Sequence, residues 1–367
     1  MRYPLATLLG CLATASACQT TTTEPNTEPR SFALGFTEFP YAGTLTAVQN
    51  TYAVLGRDAD FVNHHFDGGV PWNEALDGLP FHPAIEGDLV RMKSDIPAGH
   101  VRLISVSPVN FLRTGLADYR GATTGQPLPA PWDTASFDNP RVKQAFLAYC
   151  KRLIDRLDPD YFVYAIEANI LADKSPAKWP AFLRLAEHLY RELKLAYPSL
   201  AVFPSIQLEL VRDRPGPQGT AVADLVPFAD VIAVSTYPYA SLVDPSRINP
   251  AYFEPVTKFA PGKPFAIAET AWPAEPVTAP YPIVIASDPD RQRRYVENLL
   301  ATLDQMDAVF LDYFFTRDYD DFWESAFKFD PQAPLFRIWK DTGLYAGDGA
   351  ERPALGPWRA ALARGRR

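Results

Sequence analysis

The chain contains little cysteine and no long apolar run beyond its first residues. Its 367 residues include three cysteines, Cys11, Cys18 and Cys150. If a leader is removed before Cys18, two remain, and a lipid on Cys18 leaves one, so no disulfide framework can form in that case. After the leader, no apolar stretch reaches about 18 residues, which argues against a later transmembrane helix.

Motifs that define several other function classes are also absent. There is no glycine-rich phosphate loop and no Gly-x-Ser-x-Gly elbow, so nucleotide chemistry and serine hydrolysis have no support. The formal net charge is −8, from 35 Lys and Arg against 43 Asp and Glu. Nucleic acid and general anionic surfaces require a basic face, so neither is expected as a partner. Aromatic residues are abundant at 13%, which fits a carbohydrate-binding surface as well as a large core.

The first 30 residues are typical of a processed leader and a tether. Arg2 precedes the apolar stretch 5–17, and small residues at 15–17 precede Cys18, as at the end of a secretory signal peptide covering 1–17. Ala-Ser-Ala-Cys resembles a bacterial lipobox, which implies lipidation of Cys18; ordinary cleavage with an incidental Cys18 is the alternative. Residues 18–30 predict a flexible tether. We expect an exported lipoprotein, anchored in a membrane and facing the periplasm or the cell surface.

Residues 31–367 alternate strand-like and helix-like segments without a repeat or a break in composition. Asn139-Pro140, Ser175-Pro176 and Asp288-Pro289 each predict a helix start. Cys150 lies on an apolar helix face and is expected to be a buried thiol. The order favours a single-domain, monomeric (β/α)8 TIM barrel over an open sheet. The predicted strands are 32–36, 60–63, 101–106, 160–167, 202–206, 231–234, 265–268 and 308–313.

Two of these strands run into a carboxylate. Residues 264–273 lead to Glu269, and residues 160–169 lead to Glu167, with Asn169 two positions later. Glu is unfavourable inside a strand that is buried on both faces, but the C-terminal ends of barrel strands converge on the active-site face. Both acids are therefore predicted to be catalytic. The alternative for Glu269 is a residue that merely caps the following loop.

The two acids resemble the acid/base at the end of strand 4 and the nucleophile at the end of strand 7 in clan A glycoside hydrolases. Glu-Thr-Ala-Trp-Pro at 269–273 is most similar to the endo-β-1,4-galactanase family of that clan, and the distant resemblance spans about 32–363. It implies a retaining hydrolase of a β-linked polysaccharide or oligosaccharide, without a cofactor, in which Glu167 is the acid/base and Glu269 the nucleophile. It also implies that Tyr237 hydrogen-bonds the nucleophile; a core or rim position is the alternative.

One position departs from the clan pattern. The clan has Asn immediately before the strand 4 Glu, where its side chain contacts the sugar 2-hydroxyl, and here that position is Ile166. Such contacts strengthen in the transition state. Either Asn169 or another residue substitutes, or the substrate differs, or activity is reduced or lost. The second hypothesis is therefore a non-catalytic lipoprotein on the same barrel that binds glycan or assists polysaccharide assembly.

Other side chains near strand ends are candidate sugar contacts. Trp272, Trp72 and Trp323, in that order, are candidate stacking platforms, and buried packing is the alternative for each. Glu38 and His64 are candidates for hydrogen bonds at the pocket floor.

Two groups invite a metal interpretation. Adjacent His64 and His65 on a strand point to opposite faces, so they cannot easily bind one ion. The acidic group Asp318, Asp320 and Asp321 lacks the Gly and the terminal Glu of a dedicated calcium loop. We therefore expect no metal, and expect the acidic group to lie in a solvated loop.

Overall fold

The computed structural model describes residues 27–278 and 284–367. The predicted signal peptide, Cys18 and most of the predicted tether lie outside the described residues. In the described ranges, no helix is both long enough and apolar enough to cross a membrane.

Eight parallel strands form a closed barrel in which each strand pairs with the next along the chain and the last closes on the first. The prediction of a single-domain (β/α)8 barrel is confirmed. The strands are β1 Ala33–Thr37, β2 Phe61–Phe66, β3 Val101–Val106, β4 Tyr161–Ala165, β5 Ala201–Gln207, β6 Ile232–Thr236, β7 Phe265–Thr270 and β8 Phe310–Tyr313.

Helices cover the outside of the barrel and form parts of its loops. The described helices are α1 Leu45–Asp58, α2 Trp72–Asp77, α3 Pro83–Asp95, α4 Pro140–Leu157, α5 Asn169–Lys174, α6 Trp179–Ala196, α7 Leu208–Asp213, α8 Pro215–Leu225, α9 Pro250–Thr257, α10 Pro289–Gln305, α11 Asp320–Ser325, α12 Ala333–Phe336 and α13 Leu355–Ala363. Short 3-10 turns occur at Trp132–Thr134, Pro176–Lys178, Val226–Phe228, Pro238–Ser241, Pro245–Arg247 and Phe327–Phe329.

Two of the three predicted helix starts show side-chain capping, and the one at Ser175 does not. The Asn139 side chain accepts a hydrogen bond from the Arg141 amide at 2.9 Å, and Asp288 accepts one from the Arg291 amide at 2.8 Å. Each cap satisfies an amide that has no partner inside the helix. Near Ser175, a 3-10 turn comes before α6. Cys150 is a free thiol that is fully buried on α4, as its helix face predicted.

Strand β5 forms although Pro204 lies inside it. The register between β4 and β5 shifts between Val163 and Ala165, and Ala165 is the residue that pairs with Pro204. Proline has no amide hydrogen to donate to the ladder, so an irregularity beside it is expected. The closed barrel accommodates this irregularity next to the end of β4, where Glu167 follows.

The barrel interior has an apolar layer and a polar layer. The apolar layer consists of Ala33, Phe61, Leu103, Val163, Ile166, Phe203, Ala229, Val231, Ala233, Ala266, Ala268 and Phe310. Towards the C-terminal strand ends, Asp312 accepts hydrogen bonds from Thr37 at 2.9 Å and Asn63 at 2.7 Å. Burial raises the pKa of Asp312 well above its usual range. This buried acid lies beneath the mouth of the barrel.

Candidate active site

A pocket of about 430 Å³ opens at the C-terminal ends of the strands, and both Glu167 and Glu269 line it. The other lining residues come from the ends of β1, β2 and β8 and from the loops that follow β2, β3 and β8. They are Phe39, Pro40, His65, Asp67, Gly68, Phe111, Arg113, Arg120, Thr124, Phe314, Phe315, Tyr319, Phe322, Phe327, Phe336 and Trp339.

Glu269 reaches the pocket because β7 is irregular. Ala266 and Ala268 face the barrel interior, so strict alternation along the strand would turn Glu269 outwards. The register between β6 and β7 shifts here: Val234 pairs with Ile267, and Ser235 pairs with Glu269. Ala268 is thus the extra residue of a β-bulge, and bulges of this kind re-aim side chains beside active sites.

The Glu269 carboxyl is buried and has a specific partner. It is 5% exposed, and the Tyr237 hydroxyl donates a hydrogen bond to its Oε1. Burial raises the pKa of Glu269 well above its usual range; the charge of Glu167 raises it further, and the Tyr237 hydrogen bond opposes the rise. Tyr237 is itself 5% exposed and contacts Glu269 as the clan resemblance implied.

Glu167 lies two residues after β4 in a left-handed backbone conformation, with φ of 48°. Such a conformation is strained for a residue with a side chain and persists only where neighbours hold it. Ser205 on β5 supplies this support. Its Oγ accepts a hydrogen bond from the Glu167 amide at 2.8 Å, and its carbonyl accepts one from the Ala168 amide at 3.0 Å.

Arg113, in the long loop after β3, is a site residue that the sequence did not reveal. Its Nη2 lies 3.5 Å from Glu167 Oε2 and 2.9 Å from Asp67 Oδ2, and the residue is 4% exposed. Burial raises the pKa of Glu167; the Arg113 charge opposes this rise, and Asp67 adds to it. The length of the loop after β3 indicates that the loop is functional, but it does not identify Arg113 as the residue that contacts Glu167.

Two carboxyl groups in one pocket, Glu269 buried and Glu167 with 17% of its side chain exposed, cannot both ionise freely. Raised pKa values favour a state in which Glu167 and Glu269 hold one proton between them, which provides one acid and one nucleophile or base. The Tyr237 hydrogen bond favours the ionised form of Glu269. The arrangement can therefore perform general acid and nucleophilic chemistry on one bond.

Two of the three predicted tryptophan platforms are wrong, because Trp72 and Trp272 are core residues. Trp72 is fully buried, stacks on Trp132 at 5.4 Å and donates to the Ala117 carbonyl at 2.9 Å. Trp272 is 1% exposed and donates to Ser287 Oγ at 3.0 Å.

Trp323 is half-buried beside the Arg337 guanidinium, 5.9 Å from its ring centroid, and lies outside the described pocket lining. Trp339, which sequence reasoning passed over, lines the pocket instead.

His64 needs the same kind of correction. Strand β2 extends to Phe66, so both histidines lie within the strand. His64 points away from the pocket and is 3.1 Å from the Tyr52 hydroxyl, while His65 lines the pocket. Burial lowers the pKa of His65 to about 4 and that of His64 to about 3, so both are neutral near pH 7.

Glu38 and Asn169 also lie away from the described pocket lining. Asn169 is fully buried. Its side-chain amide donates to the Gln207 carbonyl at 3.0 Å and to Gln218 Oε1 at 2.8 Å, and its Oδ1 accepts from the Gln207 amide at 2.8 Å. It ties β5 to the loop after β4, so it cannot replace the missing clan Asn. Ile166 packs in the interior apolar layer. Glu38 is 5% exposed, and its Oε2 has no hydrogen-bond partner in the described ranges.

The acidic group after β8 is not a solvated loop throughout, because Asp318 is 1% exposed and pairs with Arg352. Burial raises the pKa of Asp318 to about 7. Carboxylate oxygens of Glu275, Asp318 and Asp341 lie within 4.8 Å of one another. Arg352 pairs with Glu275 at 3.4 Å, and Lys340 pairs with Asp341 at 2.7 Å. Ion pairs with these two cations therefore explain why the three acids lie close together.

Several solved structures share this fold at low sequence identity. GH5_18 from Streptomyces cattleya, in complex with GlcNAc, has a TM-score of 0.66 at 16% identity, over 93% of this chain and 83% of that one. The exo-β-1,4-mannosidase from Opitutaceae bacterium strain TAV5 has a TM-score of 0.63 at 14% identity over 91% of this chain, which spans 59% of the mannosidase.

A glycoside hydrolase family 17 β-1,3-glucanosyltransferase from Rhizomucor miehei has a TM-score of 0.51 at 15% identity, over 88% of this chain and 96% of that one. No protein-family model matches the sequence, and no curated protein matches it. At these identities the similarity shows the (β/α)8 fold alone.

Proposed function

We propose that this chain is a retaining glycoside hydrolase that cleaves a β-linked oligosaccharide or polysaccharide. The observation that carries the proposal is the pairing of Glu167, after β4, with Glu269, at the end of β7, in one pocket where the charge of Glu167 raises the pKa of Glu269. The fold neighbours named for glycoside chemistry support it.

In this mechanism the Glu269 carboxylate attacks the anomeric carbon while Glu167 gives its proton to the departing glycosidic oxygen. The bond from the anomeric carbon to that oxygen breaks and a covalent glycosyl-enzyme forms. Water then attacks the anomeric carbon and gives a proton to Glu167, and the ester bond to Glu269 breaks, which releases the sugar and the Glu269 carboxylate. Tyr237 orients Glu269 and favours its ionised form. Arg113 and the Ser205 contact hold Glu167 in position.

The endo-β-1,4-galactanase resemblance supports galactan as one candidate substrate. It rests on the turn 269–273, in which Trp272 packs in the core rather than facing the pocket. Trp272 therefore stabilises the local backbone and does not select the sugar. Mannan, glucan and xylan are candidate substrates together with galactan.

The second candidate function is glycan binding or polysaccharide assembly without hydrolysis. It is favoured by Ile166, whose side chain packs in the interior apolar layer where the clan has an amide. In the described structure Asn169 is fully engaged with β5 and α8, so it does not restore the missing contact.

The test is reducing-end release from galactan, mannan, glucan and xylan by residues 19–367 and by the Glu269→Gln variant. Turnover of one polysaccharide by the wild type, lost in the variant, is expected, and proton NMR of the first product should show retention of the β-configuration. Binding to a glycan without turnover of any would favour the second function. Inversion at the anomeric carbon would contradict the two-step mechanism.

We also propose that the mature chain is anchored by lipid on Cys18 and faces the periplasm or the cell surface. Mass spectrometry of the chain from a bacterial membrane fraction should show a diacylglyceryl mass on Cys18. The Cys18→Ser variant serves as the control. A wild-type chain that starts at another residue, or that carries no lipid, would contradict the anchor.

A further inference from the structure

One side of the pocket is lined by a group of aromatic side chains. We define the aromatic wall as Phe314, Phe315, Tyr319, Phe327, Phe336 and Phe111, all of which line the pocket. One hydroxyl is present among these six side chains, and burial raises the pKa of that hydroxyl, on Tyr319, well above its usual range. A sugar ring can stack one C–H face on an aromatic ring, but its hydroxyls lose hydrogen bonds to water on binding, and phenylalanine rings cannot replace those bonds.

Ring contacts make this wall continuous from one catalytic acid outwards. Tyr237, which donates to Glu269, lies 6.3 Å from Phe314 between ring centroids. Along the wall, neighbouring centroids are 4.2 Å apart for Phe314 and Phe315, 4.0 Å for Phe315 and Tyr319, 5.9 Å for Tyr319 and Phe327, 4.7 Å for Phe327 and Phe336, and 6.1 Å for Phe336 and Phe111.

The far end of the wall returns to the side of Glu167. Phe111 is two residues before Arg113, which contacts Glu167 at 3.5 Å. In the proposed mechanism Glu167 protonates the leaving group, so the leaving group lies on this side of the pocket. Apart from Glu167 and Glu269, the charged lining residues are Asp67, Arg113 and Arg120, which come from the loops after β2 and β3 and provide hydrogen-bonding groups for a sugar ring.

We infer that the pocket prefers a β-glycoside whose leaving group is apolar, an alkyl chain or an aromatic ring, over one whose leaving group is a further sugar, and that this apolar aglycone lies along the aromatic wall. The inference rests on the proposed function. An apolar aglycone needs no hydrogen bonds, covers the partly exposed rings of Phe111, Phe327 and Phe336, and places the scissile oxygen beside Glu167. An apolar groove continuous with a catalytic site is the kind of surface that binds such a group.

The test separates binding from turnover. Isothermal titration calorimetry of the Glu269→Gln variant is carried out with methyl, hexyl and phenyl β-glycosides of glucose, galactose, mannose and xylose. For one sugar, the hexyl or the phenyl glycoside should bind about tenfold or more tightly than the methyl glycoside. The hexyl and phenyl compounds distinguish an alkyl from an aromatic aglycone.

A second variant locates the effect. Phe336→Gln, in the Glu269→Gln background, should remove most of the preference over the methyl glycoside. Phe329→Gln should leave it unchanged, because Phe329 is in the same loop but is 73% exposed and lies outside the described pocket lining. Equal binding of methyl and hexyl or phenyl glycosides, or no measurable binding of any, would overturn the inference.

Turnover by the wild type tests the proposed function separately. If methyl glycosides and unmodified oligosaccharides are hydrolysed as fast as hexyl and phenyl glycosides, the proposed hydrolase activity is supported and the preference for an apolar aglycone is contradicted. Tight binding of hexyl or phenyl glycosides without hydrolysis would leave the aromatic wall as an aglycone site and contradict the hydrolase.

Discussion

Arg113 and Glu167 form a buried contact at the pocket, with 3.5 Å between Nη2 and Oε2. The same guanidinium lies 2.9 Å from Asp67. Burial raises the pKa of Glu167, and Arg113 is the largest opposing influence. The protonation of the proposed acid/base is therefore set by two opposed effects, one of which can be removed by a single substitution.

Arg113→Met should move the alkaline limb of the kcat/KM profile to higher pH. Without the guanidinium, the pKa of Glu167 rises, so the proton needed by the leaving group is retained at higher pH. Arg113→Lys keeps a positive charge and serves as the matched control, with a smaller displacement expected. A pH profile that stays in place in Arg113→Met, or moves to lower pH, would show that Glu167 is not the acid measured.

Tyr237→Phe should lower kcat/KM by roughly tenfold to a hundredfold, the usual worth of a hydrogen bond to a charged group. The hydrogen bond lowers the pKa of Glu269, so its loss should also move the acidic limb of the profile to higher pH. Tyr239→Phe is the control, because the Tyr239 hydroxyl donates to the Ile338 carbonyl at 3.0 Å rather than to a carboxylate. The same pH displacement in both variants would argue against a specific role for Tyr237.

Ile166→Asn should destabilise the chain without increasing turnover. The Ile166 side chain is 2% exposed in an apolar layer, and an amide buried there without partners costs about 1–3 kcal/mol. Urea unfolding and reducing-end assays measure the two effects, with Ile166→Val as the control at about 0.5–1.5 kcal/mol. Increased turnover in Ile166→Asn would mean that this side chain can reach the sugar after all.

Glu38→Gln should stabilise the fold more at about pH 8.5 than at about pH 5. Burial raises the pKa of Glu38 from 4.5 to about 8. Its contribution to stability is thus fully present below about pH 4.5 and is lost as the pH rises through about 8. The amide cannot ionise, so the variant escapes this loss, which amounts to several kcal/mol for a shift of this size.

Urea unfolding at the two pH values measures the free energy of each form. Glu324→Gln is the control, because the Glu324 side chain is 68% exposed and pairs with Lys328 on the surface. Equal stabilisation by Glu38→Gln at both pH values would contradict a raised pKa at this position.

The sequence by itself determined the barrel, most of its strand positions and the two acids. Apolar strands that alternate with helices bury both of their faces in few folds other than a barrel. A carboxylate next to such a strand is costly to bury, except at the C-terminal strand ends, where the barrel opens. Helix starts were also local, because a capping side chain and a proline act within one turn.

Tertiary structure decided which side chains enter the pocket. Local alternation would turn Glu269 outwards, and the β6–β7 register shift at Ala268 turns it in. Strand β2 continues to Phe66, beyond its predicted end at residue 63, and His65 rather than His64 lines the pocket. Arg113 and the aromatic wall arrive on loops whose paths depend on contacts far apart in the chain. A one-residue change in strand register reverses the face of a side chain, and pairing between strands, rather than the sequence of one strand, sets that register.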